Sequence, residues 1–285
     1  MTLDDLPPLR GSLAAAGIVA RKRFGQHFLL DLNVTRKIAR LAEIAEGETV
    51  VEVGPGPGGL TRALLETGAH VVAVEKDARF MPLLDDLAAH AGGRLTVLNQ
   101  DALTAALPPT APIVANLPYN VGTPLLVGWL AAAPRPRSMT LMFQKEVADR
   151  IVAGPGSKDY GRLSVLAQAV CETGVLMDLP ARAFTPPPKV ASAVVKLVPR
   201  PDPPDATLLA ALQRVTAAAF GQRRKMLRAS LRPLGGEALC AALGLDPTLR
   251  AEDVSVGDYL RLAASLPLSS RTSRDSGADP GPHAD

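Results

Sequence analysis

Hydrophobic residues follow two alternating rhythms along this chain. Short runs of β-branched and aliphatic residues have the length of buried strands, and between them apolar residues recur at the three- and four-residue spacing of helix faces. Thr49–Val53 reads TVVEV; four glycines and two prolines follow at 54–59, then Leu60, Ala63, Leu64 and Leu65 share one helical face. The same reading predicts a helix over 33–45, capped by Asn33, with Ile38, Leu41 and Ala42 inward. Strands are expected at 71–75, Leu95–Leu98, 113–115 and 140–143. Helices are expected from about 77, carrying Met81, Leu84 and Leu87, and at 124–132, Lys145–Val152 and 163–170.

The pattern then changes. Residues 154–160 (GPGSKDY) read as a loop, and 184–190 (FTPPPKV) as a stiff, extended, surface-leaning segment. A last strand at 194–198 is expected to pair antiparallel at the far edge of the sheet. Four prolines in 199–204 read as a linker. Beyond it only helical spacing remains, at 208–220, 224–231, 237–243 and 256–266. Residues 269–285 are poor in apolar side chains and are expected to be disordered. Alternating short strands and helices followed by helices alone make an α/β fold with a small helical second domain. The expected boundaries are a basic segment at 1–32 lining the cofactor and RNA site, an α/β domain at 33–200, a helical RNA-binding domain at 205–267, and a tail at 268–285.

Composition narrows the function classes. A chain of 285 residues, 47% hydrophobic, holds an ample core. It has no apolar run of transmembrane length, so a soluble protein without a membrane partner is expected. The apolar stretch 13–20 follows Asp4 and Asp5 and precedes Arg21, Lys22 and Arg23, the wrong order for a secretory signal. Cys171 and Cys240 lie far apart, with neither disulfide-framework nor metal-site spacing; no metal is expected, and a reducing cytoplasm fits. Net charge is only +3, yet the pI is about 9.0 and the basic residues cluster, which suggests nucleic acid.

Each candidate polar group lies just past a strand's carboxyl end, where open α/β sheets bind ligands. Gly54-x-Gly56-x-x-Gly59 matches a dinucleotide fingerprint, a weak signal by itself. Pro55 and Pro57 remove two backbone donors that a pyrophosphate would use, and Glu52 adds a carboxylate beside the loop. A cationic cofactor suits this loop better than NAD, and S-adenosyl-L-methionine carries both an ammonium and a sulfonium. Glu75, 21 residues after Gly54, is placed to accept both ribose hydroxyls. Asp101 is placed to accept an N–H from the cofactor's adenine, and His27 and Leu29 to cover its methionine end.

Asn116-Leu117-Pro118-Tyr119 is the sharpest motif. The exocyclic amine of adenine is a poor nucleophile because its lone pair is delocalised into the ring. The Asn116 side-chain oxygen and the Leu117 carbonyl, both accepting from that amine, would favour a pyramidal nitrogen. Pro118 fixes the turn, and Tyr119 offers a stacking face worth about 1–3 kcal/mol. Phe184, expected to be exposed or half buried, is the candidate for the opposite face of the base. Arg223, Arg224, Lys225 and Arg228, with Lys189 and Arg21, Lys22 and Arg23, are the candidate phosphate contacts. Arg224 and Arg228 are expected one helical turn apart.

At these residues the sequence resembles the KsgA family of ribosomal RNA adenine dimethyltransferases. The matching pieces are RKRFGQHFL, EVGPGPGGLT, VVAVEKD, NQDAL, ANLPYN, FQKEVADR, YGRLSVLAQ, FTPPPKVASAVVKLVP and FGQRRKMLR, in family order. The resemblance implies a Rossmann-like methyltransferase domain, a mostly parallel sheet with an antiparallel edge strand, and a small all-helical C-terminal domain. It implies transfer of four methyls from S-adenosylmethionine to two adjacent adenines near the 3′ end of small-subunit rRNA during ribosome assembly. The expected partner is that RNA within a pre-30S particle, and the chain is expected to act as a cytoplasmic monomer. Carried over by motif, His27, Leu29, Gly54, Glu75, Asp101 and Asn116 would contact the cofactor. The family usually has Asn where His27 stands.

Three rival readings remain. The related Erm class methylates an adenine of large-subunit rRNA and shares the cofactor loop and the Asn-x-Pro-aromatic turn; YGRLSVLAQ, FTPPPKV and the basic segment favour the KsgA reading. A non-catalytic assembly factor would not need an intact Asn116–Tyr119 turn. An NAD oxidoreductase is disfavoured by Pro55 and Pro57.

Overall fold

A computed structural model of the chain describes residues 2–20 and 25–267. In chain order the elements are α1 (Leu9–Ala15), β1 (Phe28–Leu29), α2 (Leu32–Ala42), β2 (Thr49–Val53), α3 (Gly59–Glu66), β3 (His70–Val74), α4 (Met81–His90), β4 (Leu95–Leu98), β5 (Ile113–Asn116), α5 (Gly122–Ala131), β6 (Met139–Gln144), α6 (Lys145–Val152), α7 (Arg162–Val170), β7 (Cys171–Leu179), β8 (Phe184–Thr185), β9 (Ser192–Pro199), α8 (Ala206–Gly221), α9 (Leu227–Ser230), α10 (Gly236–Ala242) and α11 (Val256–Ala264).

Seven strands form one sheet in the order β4-β3-β2-β5-β6-β9-β7. The first five are parallel neighbours, and β9 and β7 run antiparallel. Val50, Val51 and Val53 are almost wholly buried, as a central parallel strand covered by helices on both faces requires. The strand order reverses between β2 and β5, so a crevice opens there at the carboxyl ends. Gly54 follows β2, Glu75 follows β3, Asp101 lies shortly after β4, and Asn116 ends β5. The expected α/β architecture is therefore present, and its switch point lies at the predicted residues. A separate two-stranded ribbon pairs β1 with β8, joining Phe28 to Thr185 and Leu29 to Phe184.

After the proline-rich stretch, α8 and α11 pack on α7 and share its core. Leu209, Leu212, Val215, Tyr259 and Leu262 belong to the same buried cluster as Val165, Leu166 and Val170. Phe220 lies between Tyr160 and Tyr259, at ring separations of 6.0 and 5.6 Å. The Tyr160 hydroxyl donates to the Val254 carbonyl and the Tyr259 hydroxyl to the Ala251 carbonyl, so neither buried phenol lacks a partner.

Several expectations need correction. Asp31, not Asn33, caps α2: its carboxylate accepts the Asn33 N–H, and the helix ends at Ala42, before Glu43 in the left-handed region. The last strand is not the sheet's edge. β7, which the hydrophobic pattern did not reveal, pairs outside β9. Its register is broken by a bulge between Val175 and Met177, which disrupts the alternation by which a strand is recognised. The helix expected at 224–231 is only Leu227–Ser230, because the N–H groups of Leu227 and Arg228 donate to the carbonyls of Leu249 and Pro247. Arg224 and Lys225 therefore precede the helix, and Arg224 and Arg228 do not share a helical face. Among the described residues no helix is long and apolar enough to cross a membrane, and no group of three or more His, Cys, Asp or Glu could hold a metal. The basic residues at 21–23 and the tail at 269–285 lie outside the described residues.

Candidate functional site

β2 delivers the chain into the glycine-proline loop with Gly54 at φ +73°, where its N–H donates to the Val74 carbonyl. A side chain is strained at that angle. Gly59 is required for a different reason: a Cβ there would lie 2.6 Å from the Leu29 carbonyl oxygen. The loop thus lies close under the 25–29 segment, with the Phe28 ring over Gly56.

Glu75 organises the loop from the neighbouring strand. One carboxylate oxygen accepts the Gly56 N–H at 3.0 Å and the other the Asp77 N–H at 2.8 Å. The side chain is buried, and burial pushes its carboxyl above the usual range. Each oxygen retains acceptor capacity for a ligand hydroxyl. Asp77 is tied to Arg79 and to Gln26, which hold its carboxyl down at about 2. Asp101 accepts the Leu103 N–H and pairs with Lys76 at 2.7 Å; the Lys76 ammonium holds its carboxyl below the usual range.

Glu52 lies on the cavity floor, wholly buried, and burial pushes its carboxyl up to about 8. Its Oε2 and the nearby Thr61 Oγ1 are buried without hydrogen-bond partners. Near neutral pH burial thus keeps this carboxyl mostly protonated; a cationic ligand beside it would favour its ionised form, and a phosphate would not.

The Asn116 turn is held from outside itself. Asn116 Nδ2 donates to the His27 carbonyl at 3.2 Å, and no described residue bonds its Oδ1. That bond leaves the amide's acceptor as the group presented to a ligand. The His27 ring stacks on Tyr119, centroids 5.5 Å apart and planes 29° apart, while its Nδ1 donates to the Pro186 carbonyl. The Tyr119 hydroxyl is 2.7 Å from Ser192 Oγ.

These groups enclose one cavity of about 570 Å³, in the usual range for a small-molecule site. His27, Leu29, Gly54, Glu75, Asp101, Asn116, Leu117, Pro118 and Tyr119 all line it. Phe184 does not. It was expected to be exposed or half buried opposite Tyr119, but it is only 3% exposed and belongs to the core cluster with Leu29, Leu179 and Val194. Pairing of β8 with β1 draws its ring inward. The sequence reading missed Phe28 and Phe80, which meet edge-to-face at 5.6 Å and form an apolar wall of the cavity. Nothing in the pattern separates them from ordinary core aromatics. Ser192, at the start of β9, also carried no signal.

Of the candidate phosphate contacts, Lys189, Arg224, Lys225 and Arg228 are exposed. Arg223 is engaged instead with Glu252 and with the Lys158 carbonyl.

Comparison with known proteins adds to this geometry. The model of a family described as ribosomal RNA adenine dimethylase matches residues 18–267. Ribosomal RNA small subunit methyltransferase A of Phenylobacterium zucineum is 63% identical over 268 residues, covering 92% of this chain and 94% of that protein. The protein of the same name from Caulobacter vibrioides is 66% identical, over 86% of this chain and 96% of its own. Among solved structures, a dimethyladenosine transferase from Plasmodium falciparum is similar with a TM-score of 0.72 at 26% identity, over 83% of this chain and 96% of that one. The 23S rRNA methyltransferase ErmE is similar with a TM-score of 0.66 at 30% identity, over 84% and 99%.

Proposed function

The chain belongs to the ribosomal RNA adenine dimethylase family, and on that footing we propose that it dimethylates two adjacent adenines near the 3′ end of small-subunit ribosomal RNA. It is a methyltransferase, and S-adenosylmethionine, when bound, supplies an electrophilic methyl on a positively charged sulfur. The cavity fits such a donor: Glu75 keeps acceptor capacity for ribose hydroxyls, Asp101 stands at the rim, and the floor is acidic rather than rich in anion-binding donors. His27, Leu29 and Gly54 line the same space and complete the set assigned to the cofactor.

One observation carries the reading. The Asn116 amide is oriented by the His27 carbonyl in the same cavity as Glu75, with Tyr119 directly after Leu117 and Pro118. Asn116 Oδ1 and the Leu117 carbonyl accept from the adenine amine and localise its lone pair. Pro118 holds the turn, and Tyr119 stacks the base, which must leave its own stack to enter. No strong base is needed, since the methylated ammonium is acidic enough to lose its proton to water. The chain's contribution is positioning for in-line transfer.

Identities of 63% and 66% to small-subunit enzymes, against 30% to ErmE, favour the small subunit over the Erm-type reading. Action as a monomer on a pre-30S particle in the cytoplasm belongs to the same proposal. Lys189, Arg224, Lys225 and Arg228 are assigned to the RNA backbone. The test is incubation with labelled S-adenosylmethionine and unmethylated small ribosomal particles, followed by mapping of the labelled nucleotides. Label on two adjacent adenines near the 3′ end is expected. No label, or label confined to other nucleotides of the small-subunit RNA, would overturn the reading.

A further inference from the structure

With Phe184 buried in the core, Tyr119 is the aromatic ring on the Asn116 turn left to receive a base. One of its faces is already taken. The His27 ring lies 5.5 Å away at 29°, too close for a base to slide between them. A base therefore has a single face to stack on, and the plane of that face sets where its amine points.

Two contacts from outside the turn fix this plane. His27 covers one side, and the hydroxyl is hydrogen-bonded to Ser192 Oγ at 2.7 Å. Ser192 is fully buried at the first position of β9, held between Gln144 of β6 and Leu179 of β7. A hydroxyl on a strand flanked on both sides is a rigid anchor. It lies 73 residues from Tyr119 and does not line the cavity.

We propose that Ser192 is a positioning residue for the methyl transfer: it holds the Tyr119 ring at the angle on which the target adenine stacks. The inference rests on the adenine reading above and adds to it a residue that touches neither substrate nor cofactor. A bond that orients only the stacking ring acts on turnover, while the donor's binding, built from Glu75 and the glycine-proline loop, is untouched.

The experiment uses the full chain and unmethylated small ribosomal particles, comparing wild type, Ser192→Ala, Tyr119→Phe and the double variant. Loss of one aligned hydrogen bond is expected to lower kcat about three- to tenfold. The KM for S-adenosylmethionine should stay unchanged, and the double variant should be no worse than either single one. Additive losses, an unchanged kcat in Ser192→Ala, or a loss confined to KM for the donor would overturn the proposal. Should Ser192→Ala fail to fold, Tyr119→Phe deletes the same bond, and full turnover in that variant overturns it equally. A second measurement is independent of RNA. The chain has three tyrosines, so carbon-labelled tyrosine gives few ring signals, and Tyr119→Phe identifies one of them. That signal should shift or broaden in Ser192→Ala as the ring is released. If wild type transfers no methyl to adenine, the functional reading falls, and an unmoved Tyr119 signal decides against the positioning role by itself.

Discussion

Arg223 Nε lies 2.6 Å from Glu252 Oε2, and the same guanidinium donates to the Lys158 carbonyl. This pair ties the turn before α9 to the loop at 154–160, where Gly156 N–H also donates to the Glu252 carbonyl. Arg223 is thereby separated in role from Arg224, its exposed neighbour. Arg223→Ala should lower stability by about 1 kcal/mol, since the pair is partly solvated, and leave the salt dependence of RNA binding unchanged. Arg224→Ala should leave the melting temperature alone and flatten log K against log salt by about 0.9 per lost phosphate contact, by analogy with duplex DNA. Melting curves and salt-dependent binding of both variants decide the matter; a slope unchanged in Arg224→Ala removes it from the RNA surface.

Asn116→Ala deletes the acceptor that localises the adenine lone pair. Methyl transfer should be abolished, while binding of the ribosomal particle stays within a few-fold of wild type. Full activity in this variant would exclude the mechanism proposed above.

Glu75 accepts two backbone N–H groups, from Gly56 and Asp77. In Glu75→Gln one of these donors would face an amide NH₂ instead of an oxygen. S-adenosylmethionine affinity, measured by calorimetry, should fall at least about tenfold, the order expected when a buried donor is left unpaired. Affinity for RNA should not change. Equal loss of both would place Glu75 in general folding instead.

Glu52 makes stability fall as pH rises. Its carboxyl titrates near 4.5 when unfolded and at about 8 when folded, because burial penalises the charged form. Below 4.5 both states hold the proton and the group contributes nothing. Between 4.5 and 8 the unfolded chain releases it first, so folding is progressively disfavoured, and the full penalty is reached above 8. Glu52→Gln should melt several degrees higher than wild type at pH 8.5, with the gap closing toward pH 4.5. A gap independent of pH would show that the side chain titrates normally.

Leu13 of α1 packs with Phe28, Phe80 and Leu84, and so backs the apolar wall of the cavity from a segment outside the family match at 18–267. Arg62 Nη1 donates to the Pro7 carbonyl within that segment, and Arg79 Nη1 to the Val19 carbonyl just beyond it. Leu13→Ala should cost about 2–5 kcal/mol of stability and weaken binding of S-adenosylmethionine more than binding of RNA. Unchanged cofactor affinity in a destabilised variant would reduce Leu13 to a purely structural contact.

Local sequence was enough to establish the strands that carry the site and the polar residues at their ends. A run such as Thr49–Val53 has too few residues for a helix and too many branched side chains to be exposed, and Gly54, Glu75, Asp101 and Asn116 fall where such strands stop. These features depend on near neighbours along the chain. Other outcomes depended on partners far away in sequence. Phe184 turned inward because β8 pairs with β1, more than 150 residues earlier. Arg223 was taken by Glu252, α9 was cut short by the carbonyls of Pro247 and Leu249, and Tyr119 was fixed by Ser192. A side chain's spacing says what it can offer; which partner claims it is decided when distant strands and loops are packed together, because hydrogen bonds and ion pairs form at contact distance and leave no periodicity in the sequence.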